Sequence, residues 1–224
     1  MPSAPRTTSN GTSADVREDG TKTSLRARLL AARAGRITGT DHPVAVGATE
    51  TDGAATTARR ILDLPEVASA RWVAAYASLP GEPETGRLLR RLRGRGIRVL
   101  LPSMRPDLDL DFREYTGALI AGAFGTREPP LGAAIFELVQ ADVIVVPALA
   151  VDVHGRRLGR GGGSYDRALR RARPDALIVA VVHDNELVDR VPTEAHDVAV
   201  HVVVTPRVTL RCGTSDGAQD SYSR

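Results

Sequence analysis

The chain has 224 residues, 42% of them hydrophobic, so it can bury the core of one large domain or two small ones. No apolar run approaches the roughly 18 residues of a membrane span, residues 1–20 lack the apolar stretch of a secretory signal, and the lone Cys212 excludes an intrachain disulfide framework, so a cytoplasmic protein without a membrane partner is expected. Net charge is +3, but Lys22 is the only lysine, arginines are interspersed with 27 acidic residues, and aromatics are 4% of the chain, so no nucleic-acid partner is expected either.

Residues 1–20 are rich in Ser, Thr, Gly and Asp without periodicity and read as a disordered N-terminal extension. "TSLRARLLAARAGR" puts Leu25, Leu29 and Ala32 on one helical face, with Thr23 or Ser24 available as N-cap. The polar segment Thr38 to Gly53 reads as an interior loop or insertion, and "TTARRILDL" as a second helix. Then come "WVAAY" (strand), "ETGRLLRRLRGRG" (helix, with Leu88, Leu89 and Leu92 inward and the arginines solvated) and "IRVLLP" (strand). "LDLDFREY" alternates as an antiparallel or edge strand, "DVIVVPAL" is a continuous apolar strand, and "SYDRALRRAR" is a helix. "LIVAVV" and "VHVVVTP" close the series, and residues 211–224 read as a disordered tail. Apolar runs alternating with helices predict one α/β domain over 21–210: a three-layer, Rossmann-like arrangement of a mostly parallel sheet with helices on both faces.

Between "VIVVP" and the helix near Ser164 lies "DVHGRRLGRGGGSYDRALRR", with five glycines in the nine residues Gly155 to Gly163. A glycine-rich loop beyond a strand's carboxyl end and before a helix suits a phosphate cradle, here carrying Arg156, Arg157 and Arg160. No GK[ST] occurs, so it is not a Walker A loop, and Ser164 stands where the third glycine of a dinucleotide fingerprint belongs. Composition alone also allows a surface loop without a ligand. The five histidines show no metal-ligand spacing on any one element.

The order of residues goes further. "GRRLGRGGGSYDRAL" resembles the G-x-R-L-G-x-G-x-G-Y-Y-D-R signature of the 5-formyltetrahydrofolate cyclo-ligase family. "KTSLRARLLAAR", "YASLPGEPET", "FGTREP", "ADVIVVPALAVD" and "VPTEAHDVAVHVVVTP" resemble that family's other blocks, in order, across most of residues 22–206. The resemblance implies an ATP- and Mg²⁺-dependent conversion of 5-formyltetrahydrofolate to 5,10-methenyltetrahydrofolate by a monomer. A non-catalytic nucleotide- or folate-binding protein on the same scaffold is the alternative.

By the same resemblance, Lys22, Thr23, Ser24, Leu25 and Arg26 would contact ATP, and Arg157, Leu158, Gly159, Arg160, Gly161, Gly162, Gly163, Ser164 and Tyr165 would line its phosphates. Arg160, Gly161, Gly162, Gly163 and Ser164 would also lie near the folate's reacting end, with Arg160 the catalytic candidate, since a guanidinium matches phosphoryl oxygens as a fork. Glu82 would grip the pterin and Ala77 would wall its pocket. Asp166 and Asp197 would be the Mg²⁺ carboxylates; alone, Asp166 also suits a helix's first turn and Asp197 a turn. The chain departs from the pattern at Ser164 (for tyrosine), Gly162 (for lysine in some members) and His201 (for aspartate).

Overall fold

The computed structural model describes residues 21–38 and 50–213. Helices α1 (Lys22–Thr38), α2 (Glu50–Leu62) and α3 (Pro65–Ala68) come first, then strand β1 (Trp72–Ala74) and helix α4 (Gly86–Gly94). Six strands follow: β2 (Arg98–Met104), β3 (Leu110–Glu114), β4 (Ile120–Ala121), β5 (Arg127–Glu128), β6 (Ile135–Phe136) and β7 (Val143–Pro147). The remainder is β8 (Ala150–Asp152), β9 (Arg157–Leu158), α5 (Ser164–Leu169), β10 (Leu177–Val181), β11 (Leu187–Val188), β12 (Val202–Val204) and β13 (Thr209–Arg211).

Eight strands form one sheet in the order β13-β12-β10-β7-β1-β2-β3-β6. The five from β12 to β2 are parallel, and antiparallel strands finish both edges. The fold is α/β with a mostly parallel sheet, as the alternation of apolar runs and helices predicts. Side chains alternate across a strand, so Val73, Val99, Val143 and Val179 pack with Ile61 of α2 and Leu88 and Leu92 of α4. Their neighbours Ala74, Leu100, Ile144 and Ala180 pack with Leu138 and with Ala168 and Leu169 of α5. Burial on both faces is why these strands read as unbroken apolar runs. A smaller sheet, β11-β8-β9, carries α1, whose Leu25 and Leu29 pack with Leu149, Leu158 and Val191.

Several boundaries differ from the sequence expectation. α1 begins at Lys22, and the cap is Thr21, whose Oγ1 accepts the Ser24 N–H at 3.2 Å, rather than Thr23 or Ser24. The expected loop from Thr38 to Gly53 shrinks, since Thr38 ends α1 and Glu50 starts α2; residues 39–49 lie outside the described residues, as do 1–20 and 214–224. Helix α5 stops at Leu169 instead of running through Arg173. Pro174 disfavours helical backbone at Arg173, and the Arg171 and Arg173 side chains reach away to Asp109 and Asp142. At the other end β13 includes Arg211, and the Cys212 N–H donates to the His201 carbonyl at 2.9 Å, so the sheet extends past residue 210.

Candidate active site

The chain lays down β1, adds β2 and β3 on one side, then crosses to β7, β10 and β12 on the other. Strand order therefore reverses between β1 and β7, and open α/β sheets bind ligands at such a reversal, beyond the strands' carboxyl ends. Tyr76 and Ala77 leave β1 there, Pro147 and Ala148 leave β7, and together they wall a groove of about 590 Å³, within the size range of ligand sites.

The glycine loop forms one side. It is delivered by the hairpin of β8 and β9, which the sequence reading had merged into the loop. The hairpin turn is pinned by Asp152, fully buried, whose carboxylate accepts N–H bonds from His154, Arg156 and Val191 at 3.0–3.1 Å. At Gly161, φ is +108°, a backbone that disfavours any side chain. The Arg26 guanidinium lies over that glycine and donates from Nε to the Gly159 carbonyl at 3.1 Å. The helix thus clasps the loop through one arginine.

Lys22 and Arg26, four residues apart, both face the groove, as a shared helical face requires. Lys22 Nζ is 2.7 Å from Asp197 Oδ2 and 3.3 Å from Glu194 Oε1. Burial pulls the Lys22 ammonium down, but these two carboxylates outweigh it and hold it above the usual lysine range. Burial likewise raises Asp197, and Lys22 more than reverses it, leaving that carboxyl below its ordinary value. On the facing side Arg157 Nη2 donates to Asp166 Oδ1 at 2.6 Å, and Arg157 is buried. Arg157 is therefore committed to orienting Asp166 rather than lying open as a phosphate contact.

Deeper in the groove, Glu82 Oε1 faces Arg160 Nε at 3.3 Å and Arg33 Nη1 at 3.8 Å, while Oε2 accepts the Leu79 N–H at 2.9 Å. Arg33 is held by Glu186, fully buried, through two 2.8 Å bonds, and Nη2 also reaches the Ala148 carbonyl at 2.5 Å. His183 completes this network: its N–H donates to Glu186 at 2.9 Å and its Nε2 lies 3.1 Å from the Gly81 carbonyl. Burial pushes that imidazole below the ordinary histidine range. Beside Glu82 the hydroxyls of Tyr76 and Tyr165 are buried without a hydrogen-bond partner among the described residues, and burial raises both phenols. An unpaired buried hydroxyl at a groove wall is a group open to a partner that the described residues do not supply.

Most residues singled out from sequence converge on this groove: Lys22, Arg26, Ala77, Glu82, the stretch 157–166 and Asp197. Three do not. Leu25 packs in the small core, Thr23 is exposed away from the groove, and the Ser24 hydroxyl donates to the Thr21 carbonyl at 3.0 Å. Sequence reasoning missed Arg33, Glu186, Tyr76 and the 124–128 wall. In that wall Phe124 lines the groove at φ +53° and is 77% exposed, and Glu128 is buried among Ser103 Oγ, Thr126 Oγ1 and the Met104 N–H. The signal for Phe124 was present, since "FGTREP" is one of the matching blocks.

The sequence profile of the 5-formyltetrahydrofolate cyclo-ligase family matches residues 18–206. The chain belongs to this family. A relative from Mycolicibacterium smegmatis, a 5-formyltetrahydrofolate cyclo-ligase, is 49% identical over 146 residues, covering 62% of this chain and 75% of its own length. The protein of that name from Escherichia coli K12 is 35% identical over 159 residues, covering 66% and 85% respectively. Among solved structures, the 5,10-methenyltetrahydrofolate synthetase of Aquifex aeolicus superposes with a TM-score of 0.70 at 27% identity, over 90% of this chain and 96% of that one.

Proposed function

We propose that the cyclo-ligase reaction, ATP-dependent closure of 5-formyltetrahydrofolate to 5,10-methenyltetrahydrofolate, takes place in the groove between α1, the glycine loop and the 124–128 wall. The observation that carries this reading is the convergence, at the strand-order reversal, of a cationic glycine loop with the Glu82 carboxylate and two unpaired buried hydroxyls. The sheet, with α2 and α4 on one face and α5 on the other, is read as a three-layer Rossmann-like domain. A cytoplasmic monomer is part of this reading. No described helix is long and apolar enough to cross a membrane.

A formamide is a weak electrophile with a poor leaving group. Transfer of the γ-phosphoryl of ATP to the formyl oxygen forms an O–P bond, releases ADP, and turns that oxygen into a leaving group. N10 of the same folate then attacks the formyl carbon, the N10 proton is lost, and the C–O bond breaks to release phosphate. The protein's work is positioning and charge neutralisation. Glu82 accepts hydrogen bonds from the amino-pyrimidinone edge with the lone pairs left over from Arg160 and Leu79. Phe124 and Tyr165 offer apolar walls in place of the aromatic ring lost at Ser164. Lys22, Arg26 and Arg160 meet the phosphates.

Asp166 and Asp197 each commit one oxygen, Oδ1 to Arg157 and Oδ2 to Lys22, and each keeps a second that accepts no hydrogen bond among the described residues. A hard cation that retains waters and takes one or two carboxylates fits this donor set. Bound there, Mg²⁺ would neutralise phosphate charge. Asp166→Asn and Asp197→Asn are each expected to lower turnover by at least tenfold with an unchanged circular-dichroism spectrum, and rising Mg²⁺ should partly restore it. Wild-type turnover of both variants at limiting Mg²⁺ would remove the two residues from the metal site.

Lys22 tests the ATP end. Its ammonium approaches phosphate as a point charge, a geometry the planar fork of arginine does not reproduce. Lys22→Arg should raise the KM for ATP several-fold and Lys22→Ala more, with little change in the folate KM. Variants that titrate with ATP like the parent would take α1 out of the site. The whole reading is checked by following methenyltetrahydrofolate absorbance from 5-formyltetrahydrofolate with and without ATP; ATP-independent appearance, or none, would overturn it.

A further inference from the structure

The wall that carries Phe124 is tied down by one buried carboxylate. Strands β4 and β5 meet through only two residue pairs, Ile120 with Glu128 and Ala121 with Arg127, and they form a sheet of their own beside the eight-stranded one. A two-stranded ladder of that length is marginal by itself. Its tip nevertheless holds Phe124 at φ +53°, a left-handed backbone that a bulky side chain adopts only where its surroundings force it. The tie is Glu128. Oε2 accepts the Ser103 hydroxyl at 2.7 Å and Oε1 accepts the Met104 N–H at 3.2 Å, and both donors belong to β2 of the main sheet. Oε1 also lies 2.8 Å from Thr126 Oγ1, which reaches the Ala123 carbonyl at 2.7 Å, while the Gly122 N–H donates to the Thr126 carbonyl at 2.9 Å. A Cβ at Gly122 would sit 2.3 Å from Glu128 Oε1, so a larger residue there would have to push the carboxylate aside. Every hydrogen-bond partner of Glu128 among the described residues is a neutral group. Two oxygens with several lone pairs let one carboxylate gather donors from the sheet and from the tip at once.

We propose that Glu128 is a positioning residue for the folate: by tying the hairpin tip to β2 it holds the Phe124 ring in place as a preformed wall of the groove. The inference rests on the reading of the groove given above, in which Phe124 walls the folate while Lys22 and Arg26 meet ATP. A wall ordered before binding spares the substrate the cost of ordering it. Loosening the tie therefore weakens folate binding and leaves the ATP end as it was.

The test measures KM for 5-formyltetrahydrofolate and for ATP in the full chain, in Glu128→Ala, Glu128→Gln, Thr126→Val and Phe124→Ala, and in Phe124→Ala combined with Glu128→Ala or with Thr126→Val. Glu128→Ala should raise the folate KM about tenfold, the scale of one well-placed aromatic contact, and move the ATP KM by less than about twofold. Thr126→Val cuts the link to the tip and leaves Glu128 its bonds to β2, so it asks the same question without emptying a buried site; it should raise the folate KM several-fold. Glu128→Gln keeps two polar atoms for the same partners and should stay near the parent. In the Phe124→Ala background neither Glu128→Ala nor Thr126→Val should add a further loss, because their effect passes through that ring. Losses that add to that of Phe124→Ala, folate and ATP KM values that rise together, or a folate KM unmoved by Glu128→Ala and Thr126→Val overturn the positioning role and leave the cyclo-ligase reading intact. Absence of ATP-dependent cyclisation by the full chain overturns both.

Discussion

Arg160→Ala is expected to lower kcat by about 10²–10³-fold, the loss seen when a donor aimed at developing transition-state charge is removed. The residue stands at the mouth of the groove, its side chain 48% exposed, and its one ion pair among the described residues is the 3.3 Å contact with Glu82. Such an exposed loop position contributes little to the fold, so the stability change should stay within about 0.5 kcal/mol. Arg160→Lys should recover only part of the rate, because a single ammonium cannot engage two phosphoryl oxygens in one plane. A kcat within threefold of the parent, or a loss confined to KM, would show that another group carries the phosphoryl charge.

The second large effect is on stability. Glu186 is fully buried and pairs with the buried Arg33 through two bonds of 2.8 Å, so Glu186→Gln or Arg33→Met alone removes the main partner of a buried charge, leaving Arg33 only Glu82 at 3.8 Å or Glu186 only Arg36 at 3.3 Å. Breaking a buried pair from one side costs about 3–5 kcal/mol. For a chain of this size that corresponds to a fall in Tm on the order of 10 °C. Replacing both, as Arg33→Met with Glu186→Leu, should recover most of the loss, since apolar groups of similar volume remove the desolvation cost of both ions. Calorimetry of the three variants decides it: a double variant no more stable than either single one would mean that Arg33 is held mainly by the Ala148 carbonyl.

The two arginines also mark what the sequence could and could not convey. Arg160 lies in a contiguous motif whose glycines, order and following helix can be read from one stretch, and its neighbours Gly161 and Gly163 do take the positive φ that glycine permits. The central strands were legible because burial on both sheet faces leaves an uninterrupted apolar signature, and α4 because Leu88, Leu89 and Leu92 share a face among arginines. Arg33 and Glu186 are 153 residues apart, each in an otherwise ordinary polar context, and only the packing of α1 against the 183–187 segment brings them together. Nor does the sequence reveal that Tyr76 and Tyr165 lack partners for their hydroxyls among the described residues, because satisfaction of a buried donor depends on what surrounds it. The shorter α5 has the same character: Pro174 was visible, but the pull of Asp109 and Asp142 on the arginines behind Leu169 was not.

The central claim is that the formyl oxygen of the folate leaves as phosphate after accepting the γ-phosphoryl group of ATP. The most direct measurement uses 5-formyltetrahydrofolate labelled with ¹⁸O in the formyl group, incubated with ATP and the full chain in unlabelled water, followed by mass analysis of the released inorganic phosphate. The account predicts one ¹⁸O atom in each phosphate, formed in equal amount with ADP and methenyltetrahydrofolate. Unlabelled phosphate, or ADP released in excess of the cyclised product, would contradict it.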